Sequence, residues 1–120
     1  MKKILAVDDS ASMRQMVGFT LKTAGFDVTE ACNGDEALKA AQAGHYDLVI
    51  SDVNMPVMDG ITLIRNLRTL PAYKFTPLLM LTTESGGDKK QEGRAAGATG
   101  WIVKPFNPEQ LLATVRKVLG

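Results

Sequence analysis

Residues 4–24 read Ile4-Leu5-Ala6-Val7-Asp8-Asp9-Ser10-Ala11-Ser12-Met13-Arg14-Gln15-Met16-Val17-Gly18-Phe19-Thr20-Leu21-Lys22-Thr23-Ala24. A short apolar run closed by two carboxylates is the pattern of a strand buried on both faces. The period then changes: Met13, Met16, Val17, Thr20, Leu21 and Ala24 fall at the i, i+3, i+4, i+7 spacing of one helical face. A strand, a polar turn and an amphipathic helix follow one another without a spacer.

The unit recurs along the chain. Apolar runs at 28–31, 48–50, 78–81 and 101–103 supply four more strands, and helix-period stretches carrying Ala37, Leu38 and Ala41, then Ile61, Ile64 and Leu67, stand between them. Asp59 with Gly60 reads as the cap of the third helix. After the last strand, Asn107 is an N-cap, Pro108 suits the first helical position, and Leu111, Leu112, Val115, Val118 and Leu119 form an apolar stripe. Segment 88–96 holds Gly93, follows Gly86 and Gly87, and offers only Ala95 and Ala96 as apolar contacts, so its helix should be the least stable. Strict alternation of strand and helix implies right-handed crossovers into a parallel sheet with helices on both faces: a doubly wound α/β fold. With no linker, repeat or low-complexity stretch, residues 1–120 read as a single domain.

Composition narrows the function classes. The chain has 45% hydrophobic and 22% charged residues, and its 14 basic against 13 acidic residues leave a net charge of +1. No one-sign field recruits nucleic acid or an anionic membrane surface. Cys32 has no second cysteine to pair with, the N-terminal apolar run is too short for a signal peptide, and no run nears the roughly 18 apolar residues of a membrane span. A soluble, cytoplasmic protein is the expectation.

In a doubly wound sheet, ligands bind beyond the carboxyl ends of the strands. The residues there are Asp8 and Asp9 after the first strand, Asp52 after the third, Thr82 and Thr83 after the fourth, and Lys104 after the fifth. Two like charges about 4 Å apart repel by roughly 4 kcal/mol at an effective dielectric of 20. Three clustered carboxylates therefore need a cation or must hold a proton; a metal is the simpler answer, and an all-oxygen site without Cys or His suits Mg²⁺. Against such an ion Asp52 is the candidate nucleophile, able to form an acyl phosphate while Lys104 neutralises charge and Thr82 or Thr83 hydrogen-bonds the new group.

Four segments carry a family resemblance: Val7-Asp8-Asp9-Ser10; Asp52-Val53-Asn54-Met55-Pro56-Val57-Met58-Asp59-Gly60; Leu81-Thr82-Thr83-Glu84; and Gly97-Ala98-Thr99-Gly100-Trp101-Ile102-Val103-Lys104-Pro105-Phe106. In this order and spacing they resemble the receiver domains of two-component response regulators, and within that family the chemotaxis regulators. The resemblance implies a flavodoxin-like sheet of order 2-1-3-4-5 and a phosphoryl group accepted by Asp52 from a histidine kinase. It implies Mg²⁺ bound by Asp9, Asp52 and the backbone carbonyl of Asn54, with Asp8 acting through water. Thr82 and Lys104 would hold phosphoryl oxygens, the Lys104-Pro105 bond would be cis, and Asn54 and Glu84 would tune loss of the phosphate to water. Thr82 and Trp101 would form the conformational switch. Output would pass through the surface of the fourth helix, fifth strand and fifth helix to a protein such as a flagellar motor switch protein, with a phosphatase as a further partner and the chain itself a monomer.

Three departures from the family pattern stand out: Trp101 where Tyr or Phe is usual, Thr83 where a small residue is common, and Ser85-Gly86-Gly87 where chemotaxis regulators carry basic residues. A phosphorelay intermediate is the alternative within the family. A Mg²⁺-dependent aspartyl-phosphate phosphohydrolase would need a second carboxylate at position 54 and a cap; a nucleotide-binding module would need glycines in the Asp8-Asp9-Ser10-Ala11-Ser12 turn. Blander readings fit the rest: His45 in a solvated loop, Cys32 small and buried or in a turn, Met13, Met16 and Met80 in the core, Met55 and Met58 shielding the site, and Lys89, Lys90 and Arg94 on a solvated face.

Overall fold

The computed structural model describes residues 2–82 and 88–119, with only the backbone for 88–90. The expectations placed on Thr83, Glu84, Ser85, Gly86 and Gly87 lie outside the described residues. Five strands, β1 (Lys3–Val7), β2 (Asp27–Ala31), β3 (Leu48–Asp52), β4 (Leu78–Thr82) and β5 (Gly100–Val103), alternate with α1 (Ala11–Thr23), α2 (Gly34–Ala43), α3 (Gly60–Arg68), α4 (Asp88–Ala96) and α5 (Pro108–Leu119). All strand pairs are parallel and the sheet order is β2-β1-β3-β4-β5, as the family resemblance implied.

Successive strand residues face opposite sides, and each side has its own core. Ile4, Ala6, Leu48, Ile50, Leu79 and Leu81 pack with Val17 and Leu21 of α1 and Leu111 and Val115 of α5. Leu5, Val7, Val49, Leu78 and Met80 pack on the other side with α2 and α3 and with Ala96 of α4. Burial on both faces is why these strands read as continuous apolar runs.

α1, α2, α3 and α5 begin where polar side chains satisfy their first amides. Ser10, Asn33 and Asp59 accept bonds from the amides of Met13, Glu36 and Thr62. Asn107 and Gln110 cap α5 reciprocally, Oδ1 of Asn107 accepting from the amide of Gln110 and Oε1 of Gln110 from that of Asn107.

A 3₁₀ turn, Pro71–Tyr73, had no counterpart in the sequence reading. It buries Tyr73, whose hydroxyl reaches the carbonyls of Ala41 and Gly44 at 2.9 and 3.1 Å. His45 is exposed and stacks on the Tyr73 ring, in keeping with a solvated loop. Cys32 is half-buried with its thiol donating to Glu36, and Met80 is fully buried. Among the described residues no helix is long and apolar enough to cross a membrane.

Candidate functional site

β1 lies between β2 and β3, so the chain leaves the middle of the sheet in opposite directions and a crevice opens beyond the ends of β1 and β3. Asp8 and Asp9 follow β1, and Asp52 ends β3. Asp8 is only 2% exposed. Its amide donates to Ala31 O at 3.1 Å, and its Oδ1 accepts from the amide of Ser10 at 2.9 Å.

Asp52 is held equally firmly. Its Oδ1 accepts from the amide of Val53 at 2.9 Å, and its main-chain carbonyl accepts from Ser51 Oγ at 2.9 Å. Gly60, the first residue of α3, sits against that carbonyl so closely that a Cβ there would collide with it. The β3–α3 loop is pinned by the Gly60 amide on Val53 O at 2.9 Å, and it carries Val57 at φ 69°, the only non-glycine with positive φ among the described residues.

Lys104 brings the charge that faces these carboxylates. It follows β5, its amide bonding Thr82 O at 2.7 Å, and the Lys104-Pro105 peptide is cis as the resemblance implied. Its Nζ lies 3.2 Å from Asp52 Oδ1 and 3.4 Å from Asp8 Oδ2. Burial, and then the negative charge of Asp8, push the Asp52 carboxyl above its ordinary range, while Lys104 pulls it back.

One carboxylate oxygen from each of Asp8, Asp9 and Asp52 lies within 4.8 Å of the others. Three hard oxygen donors and one ammonium leave an excess of negative charge, and this donor set fits Mg²⁺ while offering nothing to a soft metal. Asn54 lies exposed in the loop after Asp52.

Thr82 is buried at the end of β4. Trp101 lies half-buried on β5 opposite Met80, its ring seated against the bare backbone of Gly93 on α4. Beside it a groove runs between β5 and α5, lined by Val103, Lys104, Phe106, Gln110 and Thr114. Met55 and Met58 pack against the α2–α3 core, and Met58 O accepts from the amide of Gly34 at 3.2 Å, so the pair closes the loop onto α2. Two arginines went unnoticed as structural anchors in the sequence: Arg14, beside Asp8, and Arg68, below α4. Neither lies at a spacing that marks it.

Fold and site together define a response-regulator receiver: residues 4–116 match the response regulator receiver domain, and the chain belongs to that family. It is 39% identical over 117 residues to the chemotaxis protein CheY of Pseudomonas aeruginosa, covering 97% of this chain and 94% of that protein. The solved structure of the chemotaxis protein CheY4 of Vibrio cholerae superposes with a TM-score of 0.96 at 59% identity, covering 98% of each chain. The transcriptional regulatory protein ResD of Bacillus subtilis is 38% identical over 117 residues, but this chain spans only 48% of its length.

Proposed function

We propose that the chain, acting over residues 1–120 as a single receiver module, accepts a phosphoryl group on Asp52 from a phosphohistidine of a histidine kinase and switches its affinity for a protein target. The observation that carries this reading is the Lys104 ammonium shared between Asp52 and Asp8, which brings together the ends of β1, β3 and β5. The Asp52 carboxylate attacks phosphorus, the donor's P–N bond breaks, the imidazole leaves, and Asp52 keeps the group as an acyl phosphate. Lys104 is close enough to Asp52 to follow the phosphoryl oxygens as their charge rises, and buried Thr82 supplies a hydroxyl at the neighbouring strand end. Mg²⁺ held by Asp8, Asp9, Asp52 and the Asn54 carbonyl would supply positive charge against the same oxygens. Asn54 and Glu84 are the residues proposed to tune hydrolysis.

Lys104 cannot serve a phosphoryl group and keep its contacts with Asp8 and Asp52 unchanged. Phosphorylation therefore biases the strand ends of β4 and β5, and with them Thr82 and Trp101, toward a second arrangement. The target would read the α4, β5 and α5 surface, where the groove beside Trp101 lies. Similarity to chemotaxis regulators along nearly their whole length favours a flagellar motor switch protein as that target, in cytoplasmic chemotaxis signalling.

A titration of the phosphorylated and unphosphorylated chain against a motor switch peptide, and against a histidine phosphotransfer domain, tests the assignment. Tighter peptide binding after phosphorylation supports chemotaxis. Phosphoryl loss to the phosphotransfer domain without peptide binding makes the chain a relay intermediate.

A further inference from the structure

Arg14 stands at the end of the first turn of α1, where the helix dipole disfavours a cation and where the helix itself carries no acidic residue. Its side chain is nevertheless only 20% exposed and held from two sides. Nη1 donates to the main-chain carbonyl of Asp8 at 2.8 Å, and Nε lies 3.4 Å from Glu30 Oε1 on β2. The other oxygen of Glu30 lies 3.8 Å from Lys22 Nζ, so Glu30 is itself braced.

Asp9 is the reason this matters. It is exposed and makes no hydrogen bond or ion pair with another described residue, yet its carboxylate is one of the three that converge within 4.8 Å. Its aim is therefore set by the main chain. The Asp8-Asp9 peptide is planar, so fixing the carbonyl of Asp8 fixes the plane from which Asp9 departs. Arg14 holds that carbonyl, and Glu30 holds Arg14.

We propose that Arg14, locked by Glu30, is a positioning residue that aims Asp9 into the acidic cluster and so sets its affinity for a divalent cation. The proposal rests on the reading of that cluster as the Mg²⁺ site. Arginine is required because two different nitrogens of one rigid fork serve two acceptors; a lysine keeps the charge but offers a single nitrogen.

The test measures Mg²⁺ affinity by calorimetry and Mn²⁺ affinity by electron paramagnetic resonance for the full chain and for Arg14→Gln, Arg14→Lys and Glu30→Gln, with thermal melts alongside. Both Arg14 variants are expected to bind the cation about tenfold more weakly, the low end of what loss of an outer-shell partner costs. Arg14→Lys is expected not to rescue, and Glu30→Gln to fall between. If the folded variants melt lower but bind within about twofold of the unmutated chain, Arg14 is only a crosslink and the proposal is overturned. Should the Arg14 variants fail to fold, an unchanged affinity in Glu30→Gln overturns it instead. If the unmutated chain binds neither cation, the metal reading of the cluster fails first and the positioning role falls with it.

Discussion

Gly60 and the main-chain carbonyl of Asp52 pack so closely that residue 60 has no room for a side chain: a Cβ would strike that oxygen and the methyl of Met80. The glycine that starts α3 thus seats the end of β3, and with it the proposed phospho-acceptor. Gly60→Ala is expected to lower stability by about 1–3 kcal/mol, the usual range for overpacking. Urea denaturation measures this. Because the strain falls on Asp52 itself, the folded fraction of the variant should also accept phosphoryl groups more slowly.

Gly93 meets the ring of Trp101, the proposed switch residue, just as closely. Gly93→Ala should gain up to about 1 kcal/mol of helix propensity in α4, yet the added methyl collides with the Trp101 ring. The ring is expected to swing toward water, giving a red-shifted emission from the only tryptophan in the sequence and stronger quenching by iodide. An unchanged spectrum with a higher melting temperature would mean that the ring does not depend on this seat.

Asp52 gives a pH dependence whose sign follows from its surroundings. Burial and Asp8 raise its carboxyl above the ordinary 3.8, so the folded chain binds that proton more tightly than the unfolded chain does. The stability this contributes is fully present below 3.8 and is lost as pH rises through the raised folded value. In EDTA at neutral pH, Asp52→Asn should therefore melt higher than the unmutated chain, and the gap should close as the pH is brought below 4. Thermal melts across that range check it, and added Mg²⁺ should narrow the gap at neutral pH by relieving the charge.

Val57 holds φ 69° at a position 82% exposed, with the Met58 amide bonded to Pro56 O at 2.8 Å around it. A β-branched residue in this region stores on the order of 1 kcal/mol of strain. Val57→Asn keeps the turn, loses no packing and should raise the urea midpoint by a corresponding amount.

The fold was legible because burial on both sheet faces writes itself as apolar runs, and helix caps such as Asp59 and Asn107 are local events between neighbours in sequence. The carboxylates and Lys104 were legible for a related reason: in a parallel sheet every strand delivers its last residue to the same edge. Arg68 shows what was hidden. Its guanidinium donates to the carbonyls of Tyr73, Thr76 and Gly97 at 2.8, 2.7 and 2.7 Å, tying the end of α3 to the segment before β4 and the end of α4. Those acceptors are main-chain oxygens, which carry no residue signature. Arg14 on Asp8 O is the same case, and the Pro71–Tyr73 turn was missed because a single 3₁₀ turn has no periodicity to read.

On the proposed function, Asp52 takes a phosphoryl group in a metal-assisted step. Intact mass after incubation with a small-molecule phosphodonor, with and without Mg²⁺, beside Asp52→Asn, addresses it most directly. One added phosphoryl group, only with Mg²⁺ and only on the unmutated chain, is the expected result. No added group, or equal addition to Asp52→Asn, would contradict it and leave the crevice a site without that chemistry.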